Sequence, residues 1–572
     1  MNAPAFDTLI RGGTIVDGTG AHPYVADIGI KHGLISEIGQ NLPPGRQTID
    51  ATGRLVTPGF VDIHTHYDGQ VTWDNRLTPS SFHGVTTAVI GNCGVGFAPC
   101  KPSPSARDAM VRLMEGVEDI PHPVLTEGLP WAWETFPEYL DFLASRSYDM
   151  DVVALVPHAP LRVYVMGERG ANREPATAED IAEMCRLLGE ALDAGAVGIA
   201  TSRSLFHRSS DGKAIPTYEA AQEELLALAR VLREKGKGVF QIVEDIHLPA
   251  ASLSAMRELA EEAGRPLTFS IGTGNAAPFQ YPRLLDELRD ANANGVVIKG
   301  QVLPRGIGVI LGFELTLNPF YTVPTYQALS GLPLHERLEQ LRRPDVRAAI
   351  LSEPLDPDPA LVLGRAVRDF DSMFLLGEQP DYEQSVERSI ASLARIASVT
   401  PEEFAYDVMI KGVSGGKLYL AMANYANGSL DAIGEIMSHP DIVFGLGDGG
   451  AHVGTICDGS YSTFALTHWT RDRDHDRKPV ADVVRRMTQA TTEIIGLKDR
   501  GALLPGLRAD INVIDYARLA IGAPEVCYDL PAGGKRLLQR ATGYDATMVG
   551  GKIVCRDGVP TDTLPGRLVR AC

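Results

Sequence analysis

Positive charge is what this chain of 572 residues is short of: 53 Lys and Arg stand against 72 Asp and Glu, a formal net charge of −19. Nucleic acid and anionic membrane surfaces favour a basic face, so neither is expected as a partner. Cysteine is sparse too. The seven (Cys93, Cys100, Cys185, Cys457, Cys527, Cys555 and Cys572) are odd in number, scattered, and form no Cys-x-x-Cys pair. That fits free thiols in a reducing cytoplasm better than a disulfide framework. No apolar run is long enough to span a bilayer. The opening residues Met1 to Asp7 lack the basic and apolar regions of a secretory leader, so a cytoplasmic protein is expected. What is present is 44% hydrophobic and 22% charged residues, ordinary for a globular chain with a large core.

Two rhythms divide the sequence. Residues 1–55 read as short strands with tight turns, at Asp7–Arg11, Gly13–Asp17, 27–30 and 34–38, punctuated by glycines. Residues 499–572 return to the same style at 510–515, 536–540, 544–549 and 552–558. Neither end has strands enough for its own core, so one small β-sandwich built from both termini is expected. Between them, strand-like runs at 56–65, 86–92, 151–157, 195–202, 238–243, 266–271, 295–302 and 442–448 alternate with amphipathic helical stretches. Eight such units in order predict an α/β chain with a closed (β/α)8 barrel over 56–498, and an open doubly wound sheet is the alternative. The connection from the seventh run to the eighth, about 303–439, is far too long for a loop. It carries helical segments at 334–341, 384–397 and 401–410, and reads as a subdomain inserted on the active face, a lid or a substrate wall.

Barrel enzymes place their chemistry at the C-terminal ends of the strands. The first run ends in His64-Thr65-His66, two imidazoles on one side of an extended chain, able to share a cation. The second ends in Cys93. Further tips offer His158, Thr201-Ser202-Arg203, Gln241, Ser270, then Lys299 and Gln301 on one strand face, and finally Asp448 within Gly445–His452. Two histidines and a thiolate make a three-ligand zinc site with a position left for water or substrate. Asp448 on an adjoining strand could take a proton from the water and pass it to a departing nitrogen. Each residue also has a plainer reading: Asp448 as a turn residue before two glycines, Cys93 as a core thiol, His158 and His452 as packing, His207 as surface. Lys299 can orient Asp448, bind a substrate carboxylate, stabilise an oxyanion, or form an interior salt bridge.

At these residues the chain resembles a known family. Gly59-Phe-Val-Asp-Ile-His64-Thr-His66-Tyr-Asp68 looks like the opening strand of the amidohydrolase superfamily, and Gly84–Gly94 is similar to the matching segment of D-aminoacylases (N-acyl-D-amino-acid deacylases). The stretch Asp499–Asp515 resembles that family's return from barrel to sandwich. The resemblance covers essentially the whole chain. It implies the barrel with a composite sandwich and metal-dependent hydrolysis of C–N bonds in a small-molecule amide. It also implies a metal held by His64, His66 and Cys93 with Asp448, and Asp448 as the catalytic carboxylate. The chain departs from the family on strands five and six, where the expected histidines fall at Val243 and Ile271. That leaves one zinc ion rather than two, unless Gln241, Glu244 or Lys299 rebuilds a second site. Gln241, Lys299, His158, Arg203 and His452 are the candidates for contacting substrate.

An N-acyl (D-)amino acid or a related amide is therefore the expected substrate. A cyclic amide of the hydantoin or dihydroorotate type is the alternative, and a catalytically silent barrel serving as a binding or assembly protein is a third reading. An exposed sandwich edge would let copies associate as a homo-oligomer.

Overall fold

The structure is a computed structural model that describes residues 4–245, 251–275, 281–354, 366–412 and 415–571. Strands from both ends of the chain join one nine-stranded sheet. Phe6–Ile15, Tyr24–Lys31, Leu34–Gly39, Gly45–Asp50 and Leu55–Pro58 meet Ile511–Ile514, Tyr544–Val549, Lys552–Arg556 and Val559–Pro560 in it. The two strands expected at 7–11 and 13–17 are one, bent by a bulge between Ile10 and Gly13. The expected strand near 536–540 forms as Gly534–Leu538, but it pairs with Glu525–Leu530 outside the large sheet. Ile10, Ile28, Ile30, Val56, Ile511, Val513 and Met548 form the buried core of the terminal sheet.

The middle of the chain is a parallel array. Phe60–Asp62, Val85–Ile90 and Asp151–Ala154 form a three-stranded parallel sheet. Val156–Pro157, Gly198–Arg203, Val239–Glu244, Leu267–Ser270, Ile298–Val302 and Ile442–Phe444 form a six-stranded one. The two sheets are consecutive in the chain, parted only at Leu155. At the other margin, Thr65 and Gly449 form a parallel bridge, and the His66 N–H donates to the Gly449 carbonyl at 2.8 Å. Strand one therefore meets strand eight at their C-terminal tips.

The run 56–65 is not one strand. Leu55–Pro58 pairs with Ile511–Ile514 in the terminal sheet, whereas Phe60–Asp62 pairs with Val85–Ile90 in the parallel one. The chain changes sheets at Gly59, where a Cβ would collide with the Thr86 side chain. Gly59→Ala should therefore destabilise the fold by about 1–3 kcal/mol, the usual overpacking cost. Denaturant titration would show it, and Thr86→Gly in the same chain, which also removes the Thr86 Cβ, should recover part of the loss. Failure of that rescue would place the strain elsewhere.

The insertion is more than helices. Leu334–Leu341 and Pro401–Met409 match two of the expected helical segments, whereas the one expected at 384–397 is a short 3-10 turn, Val386–Arg388, followed by the α-helix Ile390–Ala397. The structure adds a three-stranded antiparallel sheet from Ile307–Leu311, Met373–Leu375 and Leu418–Ala423. Around it Leu311, Phe313, Phe320, Tyr326, Ile350 and Tyr406 build a separate apolar core. Among the described residues, no helix is long and apolar enough to cross a membrane.

Candidate metal centre and catalytic pocket

The strand-one tip carries two fully buried imidazoles, His64 and His66, with ring centroids 5.4 Å apart. Asp62 fixes the turn, its carboxylate accepting the His64 N–H at 3.2 Å. Cys93 arrives on a tight turn after Val85–Ile90. Gly91 has φ 85°, and a Cβ there would run into the Leu155 carbonyl, so only glycine lets this turn sit against strand three. Cys93 itself is held at φ 55°, and its N–H donates to Gln241 Oε1 at 3.1 Å. The Asn92 amide donates to the carbonyls of Thr65 and Val89, tying the two tips together.

The donor atoms converge. Cys93 Sγ lies 3.2 Å from His64 Nε2 and 3.7 Å from His66 Nε2. Asp448 Oδ1 lies 3.6 Å from His64 Nε2 and 3.7 Å from His66 Nε2. In a tetrahedral zinc site with bonds near 2.0–2.3 Å, neighbouring donors stand roughly 3.3–3.6 Å apart. The His64, His66 and Cys93 ligand atoms all fall within 4.8 Å of one another. The residues present fit a divalent metal of the zinc type.

Of the ring nitrogens facing away from this centre, that of His64 is hydrogen-bonded and that of His66 lies against a carboxyl group without a hydrogen bond. His64 Nδ1 lies 2.8 Å from Gln301 Oε1, an oxygen that can only accept, so the proton belongs on Nδ1 and the lone pair on Nε2. Gln301 is fixed in turn by donating to Thr268 at 3.0 Å. His66 Nδ1 faces Glu118 Oε1 at 3.3 Å, and the other Glu118 oxygen lies 3.6 Å from His452 Nε2. Burial pushes His64 down to about 4 and His66 well below the usual imidazole range, so both are neutral and able to ligate. Burial also lifts the Cys93 thiol well above its ordinary value, with Glu118 and Asp448 adding to the rise. Glu118 is raised well above the carboxylate range by burial and by Asp448, and Asp448 is raised by burial to about 6. A cation at the centre would offset the cost of holding these groups ionised.

A cavity of about 170 Å³ opens beside the four donors. Glu118, His207, Ser270, His452 and Asp458 supply its other polar groups, and Val243, Leu303, Ile307 and Leu446 its apolar wall. Around it Cys93, Leu446, Asp448 and His452 all adopt left-handed backbone, at φ 55°, 61°, 44° and 49°. Such positions cost of order 1–3 kcal/mol each and cluster where side chains must be aimed at a ligand.

The structure brings His64, His66, Cys93, Asp448 and His452 together. Gln241 reaches the site only through the Cys93 backbone. Three candidates for substrate contact lie elsewhere. His158 is buried between Thr201 and Glu224, both at 2.9 Å, in a network that includes Arg162. Arg203 is occupied by Glu244, with Nε 2.6 Å from the carboxylate. Lys299 shares a strand face with Gln301 but pairs with Asp441 instead of Asp448. Two residues along a strand is roughly 7 Å, so the face that brings Gln301 to His64 leaves Lys299 one layer below. Val243 does line the cavity, as a hydrocarbon where a histidine would be needed for a second metal.

Glu118 is the residue the sequence reading missed. It ends the helix Pro104–Glu118, in the long connection between strands two and three. One cue was present: a carboxylate at a helix C-terminus opposes the macrodipole and needs another reason to be there. His207 also turns inward, its Nδ1 2.8 Å from Ser202 Oγ.

A buried imidazole–thiol–carboxylate centre at the tips of a parallel αβ array defines a metal-site hydrolase. Residues 47–555 match the amidohydrolase family, and the chain belongs to it. It is 27% identical to D-aminoacylase of Alcaligenes xylosoxydans xylosoxydans over 571 residues, 99% of this chain and 97% of that protein. N-acyl-D-glutamate deacylase of the same organism is 34% identical over 231 residues, covering 40% of this chain and 42% of the relative. In fold, it is similar to a D-aminoacylase studied for its binuclear metal center, with a TM-score of 0.66, 24% identity, and 99% and 100% of the two chains covered. The protein is thus a hydrolase acting on amide bonds, by metal-dependent chemistry.

Proposed function

We propose that this chain is a mononuclear, zinc-dependent amidohydrolase that cleaves the amide of an N-acylated amino acid or a closely related compound, with Asp448 as general base and acid. The observation that carries the reading is the convergence of His64 Nε2, His66 Nε2, Cys93 Sγ and Asp448 Oδ1 at 3.2–3.7 Å beside a cavity of substrate scale. In this reading residues 1–55 and 499–572 form one β unit. Residues 56–498 form a closed eight-stranded barrel whose first and last strands meet at Thr65 and Gly449. The insertion over 303–439 walls the site through Leu303 and Ile307.

His64, His66 and Cys93 would hold the metal, with the Asp448 carboxyl group beside them. When bound, zinc supplies a Lewis acid for the scissile carbonyl and makes water acidic enough to attack near neutral pH. Asp448 accepts the proton of the attacking water and delivers it to the departing nitrogen. Gln301 and Glu118 keep the two imidazoles aimed, and the apolar wall of Val243, Leu303 and Leu446 limits competing water. Val243 also speaks against a second ion on the strand-five side. The relatives named as deacylases of D-aminoacyl, D-aspartate and D-glutamate compounds support the amide class.

Metal analysis of protein reconstituted with zinc, followed by assay on acylated D- and L-amino acids and their derivatives, tests this reading. One equivalent with hydrolysis is expected. Two equivalents would overturn the mononuclear site, and no bound metal would overturn the enzyme.

A further inference from the structure

The cavity beside the donors is rich in carboxyl groups and, among the described residues, lined by no Lys or Arg. Glu118, Asp448 and Asp458 all face it. The nearby cations are committed. Arg305 is buried, pairs with Asp458, donates to Ser460 at 3.0 Å, and stacks its guanidinium 4.1 Å from the Tyr382 ring centre. Arg203 is held by Glu244 and by Gln222 at 3.3 Å, and Lys299 by Asp441. Of the two imidazoles beyond the metal ligands, His207 is hydrogen-bonded to Ser202 at 2.8 Å and His452 stands 3.6 Å from Glu118, with burial holding both towards the neutral form.

A bound dication would be matched by the Cys93 thiolate and Asp448, and Arg305 is matched by Asp458, so no positive charge is left over. A substrate carboxylate entering here would give up water without gaining a cation, in a partly dry cavity where an unpaired charge is costly. The opposite wall, Val243, Leu303, Ile307 and Leu446, favours an uncharged apolar group.

We infer that the preferred substrate is a neutral amide, an acylated amino-acid derivative whose α-carboxyl group is absent or masked as an amide, ester or ring. This rests on the cavity being the reaction site. It departs from what the names of the deacylase relatives indicate for those proteins.

The test compares N-acetyl- and N-hexanoyl-D-leucinamide with the corresponding free acids, and their L enantiomers, on the zinc-loaded full chain. Carboxylate release is the readout. The neutral amides should show at least a tenfold higher kcat/KM than the acids, with the difference lying in KM. Ile307→Lys, which adds a cation to the wall without touching a metal ligand, should shift the preference towards the acids by about tenfold. Binding of the acids and amides to metal-free protein, measured by calorimetry, should show the same order. Equal or better use of the free acids overturns the inference and leaves the amidohydrolase intact. No hydrolysis of any of them by protein that holds zinc overturns the functional reading itself.

Discussion

Asp448→Asn should lower kcat by about 10³-fold while leaving KM and bound metal nearly unchanged. Asparagine keeps the shape and one oxygen of the side chain but cannot take a proton from water, and general acid–base catalysis contributes typically 10²–10⁴-fold. The substitution is mild for the fold. Asp448 sits at φ 44°, in the left-handed region where asparagine is among the best tolerated residues. The three donors that define the metal cluster, His64, His66 and Cys93, are untouched. Turnover and zinc content measured on one preparation decide the matter. Loss of metal would make Asp448 chiefly a ligand, and near-normal turnover would remove it from the proton path.

Cys93→Ala should cost the protein its metal, with apparent zinc affinity falling by more than about 100-fold and hydrolysis falling with it. Changes in the groups that merely orient ligands typically cost 10–100-fold, so removal of a thiolate ligand should exceed that range. Burial disfavours the ionised thiol, and a cation between it and the two neutral imidazoles would offset that cost. The backbone there is left-handed for cysteine and alanine alike, so the change adds no new strain. Cys555→Ala, at a buried thiol on the terminal sheet, is the control and should leave metal and activity alone. Full zinc content in the Cys93 variant would return that thiol to the core.

Much of this site was legible because strand tips are punctuated in sequence. The runs at 86–92, 238–243, 266–271 and 442–448 correspond to Val85–Ile90, Val239–Glu244, Leu267–Ser270 and Ile442–Phe444. His64, His66, Cys93 and Asp448 stand just past such ends. Local patterning failed where two distant segments compete for one stretch of chain. Leu55–Val61 is apolar but for Thr57, and only the Thr86 side chain against Gly59 shows where it leaves one sheet for the other. It failed again at Lys299, since side-chain alternation gives a face but not the depth along a strand.

The order of residues alone determined the elements, the parallel βα rhythm, the long insertion and the set of donor side chains, because each is a matter of spacing within a few turns or strands. Only tertiary structure decided what surrounds those donors. Glu118 comes to His66 from a helix between strands two and three, and Gln301 comes to His64 from strand seven. Arg203, Lys299 and Arg305 were each claimed by a carboxylate before any ligand could be. Charge in a cavity is a sum over elements remote in sequence, and only the folded chain can carry it out.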